Sequence, residues 1–362
     1  MKSILIVNKL YFPDIGGVES VAKQYGEWLV NDKHNVTVLT ANPSSFSATK
    51  IEFINGIEVI RCSSIANIYS MPLSFSLVYK FIKIYKNFDI IHFHEPYPIG
   101  TFLSLFCSSK VKVFVTWHCD IIKQKGLIKN VVYYLQNRLL QKASIITTTS
   151  SNLLKSSTQL TKVISKVKVI PLSVKGYTKK KCFEGYYLVL GRISYYKGLD
   201  ILIKSLNHLS TIKRKVLIVG KGEPDIEQFI LKNTHKNNNI EFINEYVNEA
   251  IKREYIENCY CLLFPSTENS EAFGIVQLEA MSSGKPIINT LLDTAVPWVS
   301  LDEITGYTAI PKSIESLSDK INKIDSLDIN EYNNLCNNSF KRFENNFSDK
   351  QVCSKVKNLF NK

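Results

Sequence analysis

"LVLGRISYYKGLDILIKSL", residues 188–206, packs three pieces into nineteen positions: an apolar run, a glycine-opened loop with two cations, and an amphipathic stretch. The spacing predicts a strand over 187–190 that ends at Gly191, then a helix over 198–208. Arg192 and Lys197 flank the loop between them. Ligands of open parallel sheets bind beyond the carboxyl ends of the strands. Two cations at such an end suit a diphosphate, with Arg192 forking onto oxygens and Lys197 acting as a point charge. The plainer alternative is a pair of solvated surface cations.

The same unit recurs outward in both directions. Before it, strands are expected at 3–7, 36–40, 57–61, 89–93, 112–116, 144–148 and 167–170, with helices around 17–31, 72–87, 127–142 and 150–157. After it come strands 215–219, 239–243, 260–264 and 286–289, and helices 225–233, 248–256 and 274–282. Residues 330–360 read as helical, with a break near Asn346 to Ser348. Strands alternating with helices imply βαβ units and parallel sheets. The stretch LSVKGYTKKKCFEGY, 172–186, is polar and basic and reads as a linker. The fold class is therefore α/β: two Rossmann-like, doubly wound domains, 1–174 and 175–346, facing across a cleft. A last helix of about 347–362 packs back on the first domain.

Composition sets the outer bounds. A chain of 362 residues with 45% hydrophobic and 21% charged residues accommodates two soluble domains. No apolar run reaches the length of a transmembrane helix, and charge and proline cut the first apolar run too short for a signal peptide. The eight cysteines form no CxxC pair, which fits a reducing cytoplasm. Cys259 and Cys261 read as small hydrophobes. Net charge is +13, and up to residue 175 there are 21 Lys and Arg against 9 Asp and Glu. That asymmetry points to an anionic partner for the first half. A nucleic-acid partner is disfavoured because no recognised reading motif occurs. A dinucleotide cofactor is disfavoured because no GxGxxG follows a strand.

Two further glycine-opened turns carry chemistry. After the first strand, Gly16 and Gly17 open a helix, where bare N–H groups at the positive helix end can seat phosphate. After strand 260–264, FPSTENSEAFG leads into a helix beginning at Phe273-Gly274. Glu271 at that entrance can accept from ligand hydroxyls, and the N–H groups of Phe273, Gly274 and Ile275 can meet an anion. Glu279, two turns on among Val276, Leu278, Ala280 and Met281, is placed to hold the vicinal hydroxyls of a ribose.

Glu271 and Glu279, seven residues apart inside EAFGIVQLEAMSSGKPII, resemble the signature of glycosyltransferase family 4, the retaining group 1 transferases of GT-B fold. The other pieces fall in the family's order: GG after the first strand, GRISYYKG, VGKGEP, and TGYTAIP near residue 306. The resemblance covers nearly the whole chain. It implies that Arg192 and Lys197 neutralise the donor diphosphate, Glu271 holds sugar hydroxyls, Glu279 holds the ribose, and Gly17 faces the diphosphate. His118, in FVTWHCDIIKQK, matches the family's histidine near the donor sugar; its alternative is a satisfied structural histidine. His92 and His94 invite a metal reading, but cleft-lining or structural roles suit them better. The family needs no catalytic metal, and no D-x-D triplet occurs.

The implied activity is transfer of a hexose, with retention, from a UDP- or GDP-hexose to a lipid-linked saccharide in O-antigen or capsule-type assembly. A GT-B-fold epimerase is the alternative. Three departures from the family bear on sugar and base identity: Ala272 where glycine is usual, Thr294 and Ala295 before PWV, and Asn244 where glycine follows a strand. Asn tolerates left-handed backbone, so that turn is expected to survive. Finally, 74–88 and 121–142 mix aromatic, aliphatic and basic residues, which suits an anionic membrane surface on the cytoplasmic face.

Overall fold

The computed structural model describes residues 1–14, 16–68, 71–121, 127–180, 183–209, 211–234 and 239–361. The chain divides into two compact units, Met1–Ile170 with Cys353–Lys362, and Pro171–Val352. In the first unit the strands are β1 Ser3–Val7, β2 Asn35–Ser45, β3 Lys50–Ile54, β4 Ile57–Ser64, β5 Ala66–Ile68, β6 Met71–Leu73, β7 Ile90–Glu95, β8 Lys112–Trp117, β9 Ile145–Thr148 and β10 Val167–Val169. In the second they are β11 Tyr186–Leu190, β12 Val216–Val219, β13 Ile240–Ile243, β14 Cys259–Leu263, β15 Ile287–Thr290 and β16 Gly306–Ala309.

The helices of the first unit are α1 Gly17–Asn31, α2 Phe75–Ile84, α3 Pro98–Leu103, α4 Leu127–Lys142 and α5 Ser151–Ser156. Those that follow are α6 Leu199–His208, α7 Pro224–Thr234, α8 Glu249–Asn258, α9 Ile275–Ser282, α10 Val296–Val299, α11 Ile314–Asp325, α12 Ile329–Asn346 and α13 Asp349–Phe360.

Both sheets are wound from the middle. The first has the order β10-β9-β8-β7-β1-β2-β4-β3 and the second β13-β12-β11-β14-β15-β16. Ladders in both run parallel, except that β3 pairs antiparallel to β4. Helices cover both faces of such a sheet, so its central strands are apolar throughout rather than alternating. Ile4 to Val7 and Cys259 to Leu263 are all fully buried. Each unit has its own core, one around Leu5, Phe93, Val115 and Leu139, the other around Tyr187, Ile218, Leu263 and Ile321. Cys261 lies inside the second and Cys259 is buried at the start of the same strand; neither forms a disulfide.

Three local readings need correction. The helix expected from 72 starts at Phe75, because Pro72 sits in β6 and the Ser74 hydroxyl caps the helix by accepting from Leu77 N at 3.0 Å. The expected strand 57–61 is one arm of a hairpin with β3. Asn55 and Gly56, at φ 50° and 81°, make its tight turn. The stretch 172–186 is no bare linker: Tyr177 N donates to Ser282 Oγ, and Lys180 N to Ser283 O. Its residues 181 and 182 lie outside the described residues, as do 122–126 of the basic stretch 121–142.

The carboxyl end of β7 is tied to two helices by one buried group. The Glu95 carboxylate accepts from Tyr97 N at 3.0 Å, from the Thr101 hydroxyl of α3 at 2.8 Å, and from Gln136 Nε2 of α4 at 3.3 Å. Burial raises its pKa to about 7, against the pull of those donors. A carboxyl whose folded pKa exceeds its unfolded value binds its proton more tightly in the fold. Its contribution to stability therefore falls as pH rises from about 4.5 towards about 7. Glu95→Gln removes that dependence, so the variant's stability relative to wild type should rise across this window by ~2–3 kcal/mol. Urea midpoints at the two ends of the window check this; parallel pH profiles for the two proteins would contradict it.

Candidate active site

In the second unit, the loop after β11 is held between two neighbouring loops by backbone contacts. Gly191 N donates to Val219 O, Ile193 N to Lys221 O, and Glu223 N to Ile193 O. A Cβ at Gly222 would lie 1.8 Å from Ile193 O, and one at Gly198 would lie 2.1 Å from Pro265 O. Gly198 also has φ 68°, so glycine is required there twice over. The Glu223 carboxylate completes the clamp, accepting from Ser194 Oγ at 2.5 Å and Tyr195 N at 3.3 Å. Glu223 was not singled out from sequence; its signal lay in the GKGEP turn that follows β12.

That clamp aims Lys197 at Glu271. Their side chains form an ion pair and are only 19% and 11% exposed. Ser266 Oγ donates to the same carboxylate at 3.4 Å, and the Lys197 ammonium lies 4.8 Å from the centre of the Phe264 ring. Arg192 lines the same pocket with Gly191, Lys197, Phe264 and Ser266. It is exposed, and among the described residues it has no ion-pair partner. The site therefore offers one committed cation and one uncommitted one.

The α9 entrance adds donors. Gly274, at φ 76°, is the N-cap of α9 and packs so closely on Phe264 that a Cβ would lie 2.6 Å from its ring. No side chain caps this helix. Among the described residues the N–H groups of Phe273, Gly274 and Ile275 have no hydrogen-bond partner. A buried amide network fixes the entrance from behind: Gln277 Nε2 donates to Phe273 O at 3.0 Å, and Asn289 Nδ2 donates to Gln277 Oε1 at 3.1 Å. Two of the family departures touch here, since Ala295 N donates to Ala272 O at 3.1 Å.

Glu279 is separate from this cluster. Its side chain is 12% exposed and pairs with Lys252 of α8 at 2.7 Å. Burial pushes its carboxyl above the ordinary range while Lys252 pulls it down. Lys252 also bonds Glu249 at 2.7 Å, and Glu249 accepts from the Tyr177 hydroxyl. Asn244 is not among the residues with positive φ, so the left-handed turn expected there is absent. Its amide instead donates to Glu227 at 3.1 Å.

In the first unit, Gly16 is the extended N-cap of α1, and no side chain caps it. A Cβ on Gly16 would lie 2.1 Å from the Glu19 carboxylate, whereas one on Gly17 would meet open space. His118 follows β8 directly. His94 Nδ1 and His118 Nε2 are 3.1 Å apart, and His92 Nε2 lies 2.8 Å from Thr116 Oγ1. Burial lowers the pKa of His118 to about 4 and that of His92 to about 3, and takes His94 well below the ordinary value. All three rings are neutral at pH 7. Among the described residues no group of three or more His, Cys, Asp or Glu could hold a metal ion.

Two known families match adjoining parts of the chain: "Glycosyltransferase Family 4" over residues 15–175 and "Glycosyl transferases group 1" over residues 179–342. The O-antigen chain mannosyltransferase C of Escherichia coli is 28% identical, with 99% of this chain and 97% of the relative covered. The D-rhamnosyltransferase WbpZ of Pseudomonas aeruginosa is 28% identical over 85% of this chain and 82% of its own. In fold, HepE of Anabaena, solved with UDP, superposes over 100% of both chains with a TM-score of 0.75 at 16% identity. The two family matches together span nearly the whole chain, so it belongs to the group 1 glycosyltransferases, and it has the GT-B fold.

Proposed function

We propose that this glycosyltransferase moves a manno-configured hexose from a nucleoside diphosphate sugar to a lipid-linked saccharide, with retention, in O-antigen or capsule-type polysaccharide assembly. The observation that carries the reading is the pairing of Lys197 with Glu271 beside the unpaired Arg192. A departing diphosphate needs cations fixed in advance, because charge developing in the transition state is stabilised most by groups that need not reorganise. Arg192 supplies two parallel donors to phosphate oxygens and Lys197 a third contact, so no divalent metal is required. Glu271, already oriented by Lys197, accepts from sugar hydroxyls. The free N–H groups at Phe273, Gly274 and Ile275 add neutral donors to the phosphate.

Glu279 holds the ribose hydroxyls while sharing its charge with Lys252. Gly16, Gly17 and His118 are the first unit's own candidates for contact with phosphate or sugar oxygens. The acceptor hydroxyl attacks the anomeric carbon on the face the phosphate leaves. The carbon–phosphate oxygen bond breaks as the new glycosidic bond forms, and the hydroxyl proton passes to the departing phosphate oxygen. The choice of sugar is supported by the relatives, named for mannose and D-rhamnose. D-rhamnose is 6-deoxymannose, so the two share an axial 2-hydroxyl.

The acceptor side is supported by the surface of α2. Phe75, Tyr79 and Ile82 are 75%, 60% and 43% exposed, and the Lys83 ammonium lies 4.4 Å from the centre of the Tyr79 ring. Exposed aromatic residues interleaved with lysine suit the headgroup region of an anionic membrane. Among the described residues no helix is long and apolar enough to cross one. The reading therefore places the enzyme on the cytoplasmic face of the inner membrane as a peripheral protein.

Lys197→Ala and Glu271→Ala should each lower turnover at least ~100-fold, the scale of removing one transition-state donor; near-normal turnover of either folded variant contradicts its role. Glu279→Ala should chiefly raise the donor KM, and an unchanged KM would remove the ribose contact. Phe75→Ser/Tyr79→Ser should lose most flotation with phosphatidylglycerol vesicles at low salt. Wild-type protein that fails to float on such vesicles would sink the membrane assignment.

A further inference from the structure

His118 has two ring nitrogens in different situations. Nε2 faces His94 Nδ1 at 3.1 Å, inside the protein. Nδ1 has no hydrogen-bond partner among the described residues and is not among the buried, unpartnered atoms. The residue is 7% exposed, and Nδ1 is the nitrogen through which it can meet a ligand. Whether that nitrogen donates or accepts depends on where the shared proton lies.

We propose that His94 is a positioning residue that fixes the tautomer of His118, so that His118 presents Nδ1–H as a hydrogen-bond donor. Two arrangements of neutral rings satisfy the contact. If His118 Nε2–H donates, His94 must carry its own proton on Nε2. That atom is buried and has no partner. The Tyr25 ring, edge-on at 6.1 Å between centroids, is at best a weak acceptor. A buried N–H without an acceptor loses its bond to water and gains nothing in return, and such groups are rarer in proteins than under-used acceptors. If His94 Nδ1–H donates instead, its Nε2 is left with only a lone pair against apolar surroundings. His118 Nε2 then accepts, and its proton resides on Nδ1.

The surroundings hold the pair in this geometry. The His94 and His118 ring centroids are 5.3 Å apart and the planes 20° from parallel, so the rings meet edge to edge as an in-plane hydrogen bond needs. His92 packs on the other side of His94 at 4.4 Å, and the His118 backbone is pinned by its N–H to Glu95 O at 2.9 Å. Burial keeps a second proton off both rings, which agrees with the lowered pKa values. On the reading given under Proposed function, His118 therefore donates to an oxygen of a sugar or phosphate ligand and does not serve as a general base at neutral pH.

Two-bond proton–nitrogen correlation spectra of the full chain labelled with nitrogen-15 histidine test this at pH 7, with His118→Gln to assign the signal. The expected result is His118 as the Nδ1–H tautomer. His94→Asn places an amide donor near the position of Nδ1 and should keep that tautomer. His94→Asp sets an acceptor in place of the donor facing Nε2, so it should put a proton on that nitrogen and lower kcat roughly 10-fold, the scale of losing a group that orients an active-site residue. His94→Asn should recover most of that loss. His118 found as Nε2–H or doubly protonated in the wild type overturns the proposal, as does a His118 Nε2 that stays unprotonated in folded His94→Asp. The tautomer is read without turnover, so its outcome stands apart from that of the transferase reading.

Discussion

The backbone of residues 191–198 lies so close to two neighbouring loops that no side chain fits between them. Carbonyls of Ile193 and Pro265 occupy the space where Cβ atoms of Gly222 and Gly198 would sit. This constraint sets the loop's path, the path sets the direction of Lys197, and Lys197 in turn holds Glu271. Glu223 closes the same loop from the third side. A functional group is useful in catalysis when its position is fixed before substrate arrives. Here that fixing is done largely by main chain, which has fewer alternatives than side chains.

The first unit achieves a similar end by burial. His92, His94 and His118 stand on adjacent parallel strands or just beyond them, in a region too dry to charge any of them. A charged cluster would repel itself and would attract phosphate indiscriminately. A neutral ring offers a single N–H, in a direction set by the hydrogen bond at its other nitrogen. The two units thus differ in electrostatic character: exposed and paired cations in one, uncharged imidazoles in the other.

Much of this was legible from residue order because parallel sheets buried on both faces leave contiguous apolar runs, such as Ile4–Val7 and Cys259–Leu263. What escaped depends on partners remote in the chain. β3 alternates charged and apolar residues at the sheet edge, and only the Asn55-Gly56 turn marks it. Gly222 matters because of Ile193, and Glu279 pairs with Lys252 on a different helix. Glu271 and Lys197 could each be singled out by type and place, but their pairing belongs to the folded chain. Asn244 shows the opposite error: its tolerance of left-handed backbone is real, yet the turn uses its amide instead.

On the proposed function, the second unit carries a preformed seat for a nucleoside diphosphate that needs no metal. Calorimetric titration of the full chain with GDP and with UDP, in chelator and again with excess magnesium, tests it most directly. Saturable binding of one nucleotide is expected, unchanged by magnesium and weakened in Arg192→Ala. Binding that requires the metal, or no binding of either nucleotide by a folded chain, would contradict it.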